Sequence, residues 1–355
     1  MKTLFCTSPK TMQVQDAAEP EITQPTDVIV RVMRVGICGS DGGRWEWTNA
    51  LLKQPHIGGH EYAGIVEAIG PAVAERFPNL AVGTRVAGMP IDHCSLCDLC
   101  LSGLSQHCAK RRVMGAHPTW PGAFAEFVVS DAKLLVPIPD DLSFDRACTT
   151  EPAACSTWVG DRCELFCGGS LEGKSGLIAG GGPIGFFALQ DVIARGAGKV
   201  VVTDADANRL KAIEAAGGIP LQVGPGVDVV GEVTKLLGGL ADFSADCVGF
   251  TETRDQCGFA TKPYHPSAWC GLHVDGPSPV AAGQFIRRGV VTVGVFAYTP
   301  EAYKLAGLRL RSGQMGLPDS DVVYCGFKDG QKWFTRLFAD KNPGKPAKVI
   351  LDPSS

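Results

Sequence analysis

The sequence predicts a two-domain α/β chain, and three observations predict it. Its 355 residues exceed what one hydrophobic core usually holds together. Short alternating runs such as Asp27-Val28-Ile29-Val30-Arg31-Val32 and Ala63-Gly64-Ile65-Val66-Glu67-Ala68-Ile69, separated by glycine and proline turns, make the first part strand-rich. From about Gly173 the texture becomes strand, glycine turn, helix, strand, which is how a doubly wound parallel sheet is written.

In that second part Ser175-Gly176-Leu177-Ile178-Ala179 reads as a buried strand, Phe186 to Arg195 as a helix, and Lys199-Val200-Val201-Val202-Thr203 as the next strand. Further strands are expected at Ser244 to Val248, Ala268 to His273 and Val290 to Val295. After Thr299 the chain becomes helical, then closes in Ala347-Lys348-Val349-Ile350-Leu351, a strand that returns to the first domain. The expected domains are therefore residues 1–155 with 300–355, and residues 156–299. No internal repeat or low-complexity segment interrupts them.

Composition narrows the function. A hydrophobic content of 45% and a charged content of 20% are ordinary for a globular protein. With a net charge of −4 and no clustered basic face, nucleic acid is not an expected partner, and a small molecule is. The N-terminal MKTLFCTSPK lacks the apolar core of a signal peptide, and nothing later is long enough to span a membrane. Fourteen cysteines then read as thiols and metal ligands in a reducing, cytoplasmic setting rather than as a disulfide framework.

Cys94, Cys97, Cys100 and Cys108 form C-x2-C-x2-C-x7-C, four thiolates in a short loop, as a closed tetrahedral zinc site requires. Thiolate tetrads also hold iron–sulfur clusters, but no second cysteine group suits electron transfer, so zinc is preferred. Such a site has no position left for substrate and should brace the loop. His93 and His107 flank the cluster without being needed. Two other segments carry metal-binding types: Gly36-Ile37-Cys38-Gly39-Ser40-Asp41 and Gly58-Gly59-His60-Glu61.

Gly180-Gly181-Gly182-Pro183-Ile184-Gly185 satisfies G-x-G-x-x-G directly after a buried strand and at the start of a helix. Gly180, Gly182 and Gly185 permit the turn and close approach, with Pro183 and Ile184 between them in the motif. Backbone amides there can meet a pyrophosphate, favoured by the helix N-terminus. Asp204, at the end of the next strand, is the carboxylate expected to grip ribose hydroxyls, which favours NAD over NADP. Arg209 is near enough to compensate in part or to stack near the adenine.

Taken in order, these motifs resemble the zinc-containing medium-chain alcohol dehydrogenases, and more narrowly their polyol (sorbitol) and sugar dehydrogenase branch, from Asp27 to Leu351. The resemblance implies a GroES-like β-rich catalytic domain and a Rossmann coenzyme domain. It also implies two zinc ions per chain, one catalytic and one structural, with NAD as coenzyme. Cys38 and His60 would bind the catalytic zinc, Glu61 beside them as ligand or water-mediated contact. Glu151, in Glu151-Pro152-Ala153-Ala154, stands at the third protein position, a glutamate in the polyol branch.

A thiolate, an imidazole and a carboxylate leave one position open, and an open zinc is a Lewis acid. Ser40 would then relay the proton outward and Asp41 would orient the zinc histidine. The implied reaction oxidises a secondary alcohol, a polyol or sugar, to a ketone, hydride passing from a zinc-bound alkoxide to NAD. An aldose 1-dehydrogenase forming a lactone and a non-catalytic zinc and nucleotide binder are the alternatives. Family members are mostly homodimers or homotetramers.

Two positions depart from the family. Gly43 stands where liver-type enzymes keep a relay histidine, and Ala297 where mammalian-type sorbitol dehydrogenases carry an arginine. Arg44-Trp45-Glu46-Trp47 is expected either to wall the substrate pocket or to form a surface loop at a subunit contact.

Overall fold

A computed structural model describes residues 1–48, 52–272, 278–340 and 344–355. It divides into two units: Met1–Glu151 with Thr299–Arg311 and Asp319–Ser355, and Pro152–Tyr298 with Ser312–Pro318. The junction falls inside the helix Thr150–Phe166. Ser312–Pro318 belongs with the second unit because the Gln190 side chain donates to the Gly316 carbonyl at 3.1 Å and accepts its N–H at 3.0 Å.

The first unit is built on a mostly antiparallel sheet. Its strands run in the spatial order Leu135–Pro137, Arg85–Gly88, Glu61–Ile69, Asp27–Gly36, Lys348–Asp352, Val322–Gly326. Alternation of apolar and polar residues along Asp27–Gly36 sends Val28, Val30 and Val32 into the core. Its register places Gly36 opposite Glu61 on one side and opposite Ile350 on the other. The end of one strand, the start of the second and the start of the third therefore meet, and Cys38, Glu61 and Lys348 stand there. A two-stranded ribbon, Ile91–Asp92 paired with Arg112–Val113, closes the base of the cysteine loop.

The second unit holds six strands, all parallel: Gly176–Ala179, Val200–Asp204, Ile219–Gln222, Phe243–Asp246, Pro266–Trp269 and Val291–Gly294. Numbered along the chain they lie in the order third, second, first, fourth, fifth, sixth, so the direction of winding reverses between the first and the fourth. Leu177, Ala179, Val201, Val229, Val233 and Ala260 form part of the core between sheet and helices.

Several elements differ from the sequence expectation at their ends. The helix opens at Pro183 rather than Phe186, because Gly182 caps it and proline's fixed φ suits the first helical position. The fourth strand stops at Asp246 rather than Val248, because the Asp246 carboxylate accepts the N–H groups of Val248 and Gly249 at 3.1 Å each and turns the chain away. The fifth runs Pro266–Trp269 instead of Ala268 to His273, and His273 lies outside the described residues. Among the described residues no helix is long and apolar enough to cross a membrane.

Candidate active site

Cys38 follows the strand Asp27–Gly36 and caps the short helix Gly39–Trp45, in which Ser40, Asp41 and Arg44 share one face. His60 and Glu61 enter from the neighbouring strand. Ligand atoms of Cys38, His60 and Glu61 all lie within 4.8 Å of one another. Asp41, Arg44, His60 and Glu61 are each 6% exposed or less, so the cluster is dry on its inner side. The imidazole Nδ1 of His60 stands 3.2 Å from the Arg44 guanidinium and 3.6 Å from Asp41, leaving Nε2 as the nitrogen for a metal.

Charge balance explains why these groups tolerate burial. Arg44 donates to Asp41 at 2.7 Å and to the Ser40 hydroxyl at 2.9 Å, and Ser40 in turn donates to the Cys38 sulfur at 3.3 Å. Burial pushes against the Asp41 carboxylate, but Arg44, His60 and the Cys38 N–H outweigh it and hold Asp41 below the usual range. The Cys38 thiol is pushed up to about 12, first by burial and then by the negative charge of Glu61, with Lys348 opposing. A divalent cation among these donors would reverse that balance and recover the thiolate, so the donor set fits zinc.

Glu151 is buried in the first turn of the helix Thr150–Phe166, and its charge is felt at Cys38 and at Lys348. The compact trio is nonetheless completed by Glu61, not by Glu151. Glu61 is itself held: the Lys348 ammonium donates to both its carboxylate oxygens, at 2.8 and 2.6 Å, and to the Ile37 carbonyl at 3.2 Å. Sequence reasoning missed Lys348. Its signal was a lysine set in the run Ala347 to Leu351, where a strand buried on both faces has no reason to carry a charge without a partner.

Within the segment Arg44–Trp47, Arg44 and Trp45 are buried rather than set in a surface loop. Arg44 is taken up by Asp41, Ser40 and His60, while Trp45 is 2% exposed and packs against Phe334 and Phe338 at ring distances of 6.0 and 6.1 Å. Gly42 is required there, since a Cβ would meet the Phe338 ring at 2.6 Å.

In the cysteine loop the sulfur separations are 3.5 Å for Cys97–Cys100, 3.6 Å for Cys94–Cys108, 3.8 Å for Cys94–Cys100 and 3.9 Å for Cys97–Cys108. A tetrahedron with zinc–sulfur bonds of about 2.3 Å has edges of about 3.8 Å, so the four sulfurs fit one zinc. Backbone N–H groups of Leu96 and Cys97 lower the Cys94 thiol to about 6, while burial and the neighbouring Cys97 push Cys100 up to about 12. One thiolate is stable alone; four need a cation. His93 and His107 are outside the group of four.

In the second unit the glycine turn has the shape a dinucleotide needs. Gly180 has φ +96°, a left-handed conformation that favours glycine. A Cβ on Gly185 would fall on the Gly180 carbonyl oxygen, whereas one on Gly182 would face open space with only Arg209 at 3.9 Å. Asp204 accepts the Gly181 N–H at 2.8 Å and the Asp206 N–H at 2.8 Å, and meets Arg209 at 3.4 Å. Ile184 fixes the first helical turn by accepting the Ser156 hydroxyl at 2.8 Å. The Arg209 Nε is buried and has no partner among the described residues, which leaves a donor to spare for a dinucleotide.

Two donor sets fit for zinc and a dinucleotide-binding turn define the class: a zinc-dependent, dinucleotide-linked oxidoreductase. Comparison with known proteins agrees. Residues 24–140 match the alcohol dehydrogenase GroES-like domain and residues 183–310 the zinc-binding dehydrogenase domain. The chain is similar to L-idonate 5-dehydrogenase of Vitis vinifera, 32% identical over 314 residues, with 86% of this chain and 82% of the relative covered. Sorbitol dehydrogenase of Arabidopsis thaliana is 30% identical over 296 residues, covering 81% and 78%. Among solved structures, a zinc-binding dehydrogenase of Sinorhizobium meliloti 1021 bound to NADP superposes with a TM-score of 0.87 at 26% identity, covering 99% of each chain. The chain belongs to the zinc-containing medium-chain alcohol dehydrogenases, in their polyol and sugar dehydrogenase branch.

Proposed function

We propose that Cys38, His60 and a carboxylate, Glu61 or Glu151, hold the catalytic zinc at which a polyol or sugar-acid hydroxyl is oxidised to a ketone, with NAD as coenzyme. The observation that carries this reading is the trio of a half-buried Cys38 with buried His60 and Glu61, and the Ser40 hydroxyl 3.3 Å from the Cys38 sulfur. Zinc, when bound, supplies the Lewis acidity that eases loss of the hydroxyl proton, and NAD supplies the hydride acceptor.

The chain does the rest. Ser40 takes the substrate proton; because its oxygen already accepts from Arg44, it passes a proton on more readily. Asp41 and Arg44 fix the His60 ring from its Nδ1 side. Lys348 keeps the second carboxylate in place against its desolvation. Gly180, Gly182 and Gly185 with Pro183 and Ile184 form the cradle for pyrophosphate, and Asp204 receives ribose hydroxyls, opposing the 2′-phosphate of NADP. Cys94, Cys97, Cys100 and Cys108 hold a structural zinc that braces their loop.

The test is a turnover screen of zinc-loaded protein with NAD or NADP against polyols, sugar acids, aldoses and simple secondary alcohols, with products identified. A ketone product supports the reading; a lactone from an aldose replaces it with 1-dehydrogenation. A homodimer or homotetramer in a reducing cytoplasm completes the proposal, and light scattering checks the assembly.

A further inference from the structure

Five cysteines are assigned to the two zinc sites above; among the rest, one pair stands apart. The Cys270 thiol donates to the Cys247 sulfur at 3.5 Å. The fourth and fifth strands pair in parallel with Asp246 opposite Trp269, and Cys247 and Cys270 are the residues that directly follow this last pair. Neighbouring strands lie about 4.8 Å apart, inside the Cα separations that a disulfide accepts, and side chains of paired residues point the same way. Both cysteines are partly exposed.

Their position links them to the coenzyme turn. The Cys247 N–H donates to the Ala179 carbonyl at 2.9 Å, just before Gly180, and a Cβ on Gly180 would meet Val248 at 2.7 Å. Drawing the two sulfurs from 3.5 Å to the roughly 2.05 Å of a disulfide requires Cys247 or Cys270 to shift beside the turn that Val248 lines. In a doubly wound sheet the ligand crosses the carboxyl ends of the strands beside the point of reversal, and Cys247 directly follows the fourth strand there.

We propose that Cys247 and Cys270 are a redox-active dithiol on the rim of the coenzyme site, closed to a disulfide by a small-molecule disulfide such as oxidised glutathione. The coupling to coenzyme rests on the dinucleotide reading of the glycine turn. In the first step a thiolate, Cys270, attacks the glutathione disulfide, forming a mixed disulfide and releasing one reduced glutathione. Cys247 then displaces the second. Two protein thiols are oxidised, one disulfide is reduced to two thiols, and both protons leave on the released glutathiones. The hydrogen bond with Cys270, and then burial, push the Cys247 thiol well up, which fits Cys270 as the attacking sulfur. By linkage, a closed form that binds NAD less tightly must also be opposed by NAD, by the same factor.

Zinc-loaded protein is first tested for NAD binding in its reduced state, then incubated in glutathione buffers from reduced to oxidised, with and without NAD. Trapped thiols are mapped by mass spectrometry. The expected result is a Cys247–Cys270 cross-link two hydrogens lighter than the dithiol, absent in Cys270→Ser and retained in Cys167→Ser. NAD affinity should fall about tenfold on closure, and NAD should protect to the same extent. Cys247 and Cys270 remaining free thiols in the most oxidising buffer would overturn the proposal, and closure without a change in NAD affinity would overturn the coupling. A reduced protein that binds no NAD overturns the coenzyme reading itself, and is recognised before any oxidation begins.

Discussion

At the scale of single residues, the proposed zinc cluster rests on two side chains that would contribute no ligand. Asp41 and Arg44 grip one side of His60, so Asp41→Asn should weaken zinc binding about 10- to 100-fold, as removal of a group orienting a metal histidine commonly does. Competition with a chromophoric chelator measures this directly; unchanged affinity would remove Asp41 from the site. Lys348 and Glu61 are 4% and 1% exposed at their side chains, and Lys348→Met leaves that carboxylate buried without its partner. The expected cost is about 3–5 kcal/mol in denaturant unfolding.

The same pair sets a pH dependence whose sign is fixed. Burial alone would lower the Lys348 value, but Glu61, Cys38 and Glu151 raise it above the ordinary one. A folded value above the unfolded one gives stability that is complete below about pH 10.4 and is lost as pH rises through the folded value. Wild-type stability should therefore fall through that alkaline window more steeply than that of Lys348→Met, in unfolding curves taken at successive pH.

Among elements, the glycine turn offers a contrast between two substitutions. Gly185→Ala puts a methyl group on the Gly180 carbonyl, so the helix Pro183–Ala194 cannot seat on its strand and the second unit should unfold early. Gly182→Ala meets open space and should melt within about 1 kcal/mol of wild type, yet bind NAD at least about tenfold more weakly, because the methyl group stands where backbone must approach pyrophosphate. Calorimetric melting and NAD titration of both variants separate a packing role from a binding one. The cysteine loop is a second such element: Cys97→Ser should reduce bound zinc from two to one per chain and open the 94–108 segment to proteolysis.

Elements were also where the sequence was most and least legible. The cysteine tetrad, the glycine turn and its distant aspartate could be read because each packs its chemistry into a short, ordered spacing. Strand ends could not, since a side chain such as Asp246 ends a strand by capping amides that no periodicity reveals. Lys348 and Glu61 lie 287 residues apart, and only the sheet register makes them neighbours. Trp45 reads as a pocket residue in isolation because the aromatic rings that bury it, Phe334 and Phe338, come from the far end of the chain.

For the whole molecule, the family sets the chemistry and a few residues set its direction. Asp204 should favour NAD over NADP by at least about tenfold in kcat/KM, and Asp204→Ser should narrow that ratio by improving NADP rather than by losing NAD alone. Comparable wild-type efficiency with both coenzymes would show that Arg209 dominates instead. The decisive experiment for zinc-bound alcohol oxidation is NAD-linked turnover of polyols and sugar acids before chelation, after removal of the zinc proposed at Cys38 and His60, and after its return. A ketone product, loss of turnover on chelation and recovery with zinc are expected. Turnover that persists without the zinc held by Cys38 and His60, or none in a protein carrying two zinc ions and bound NAD, would contradict that chemistry.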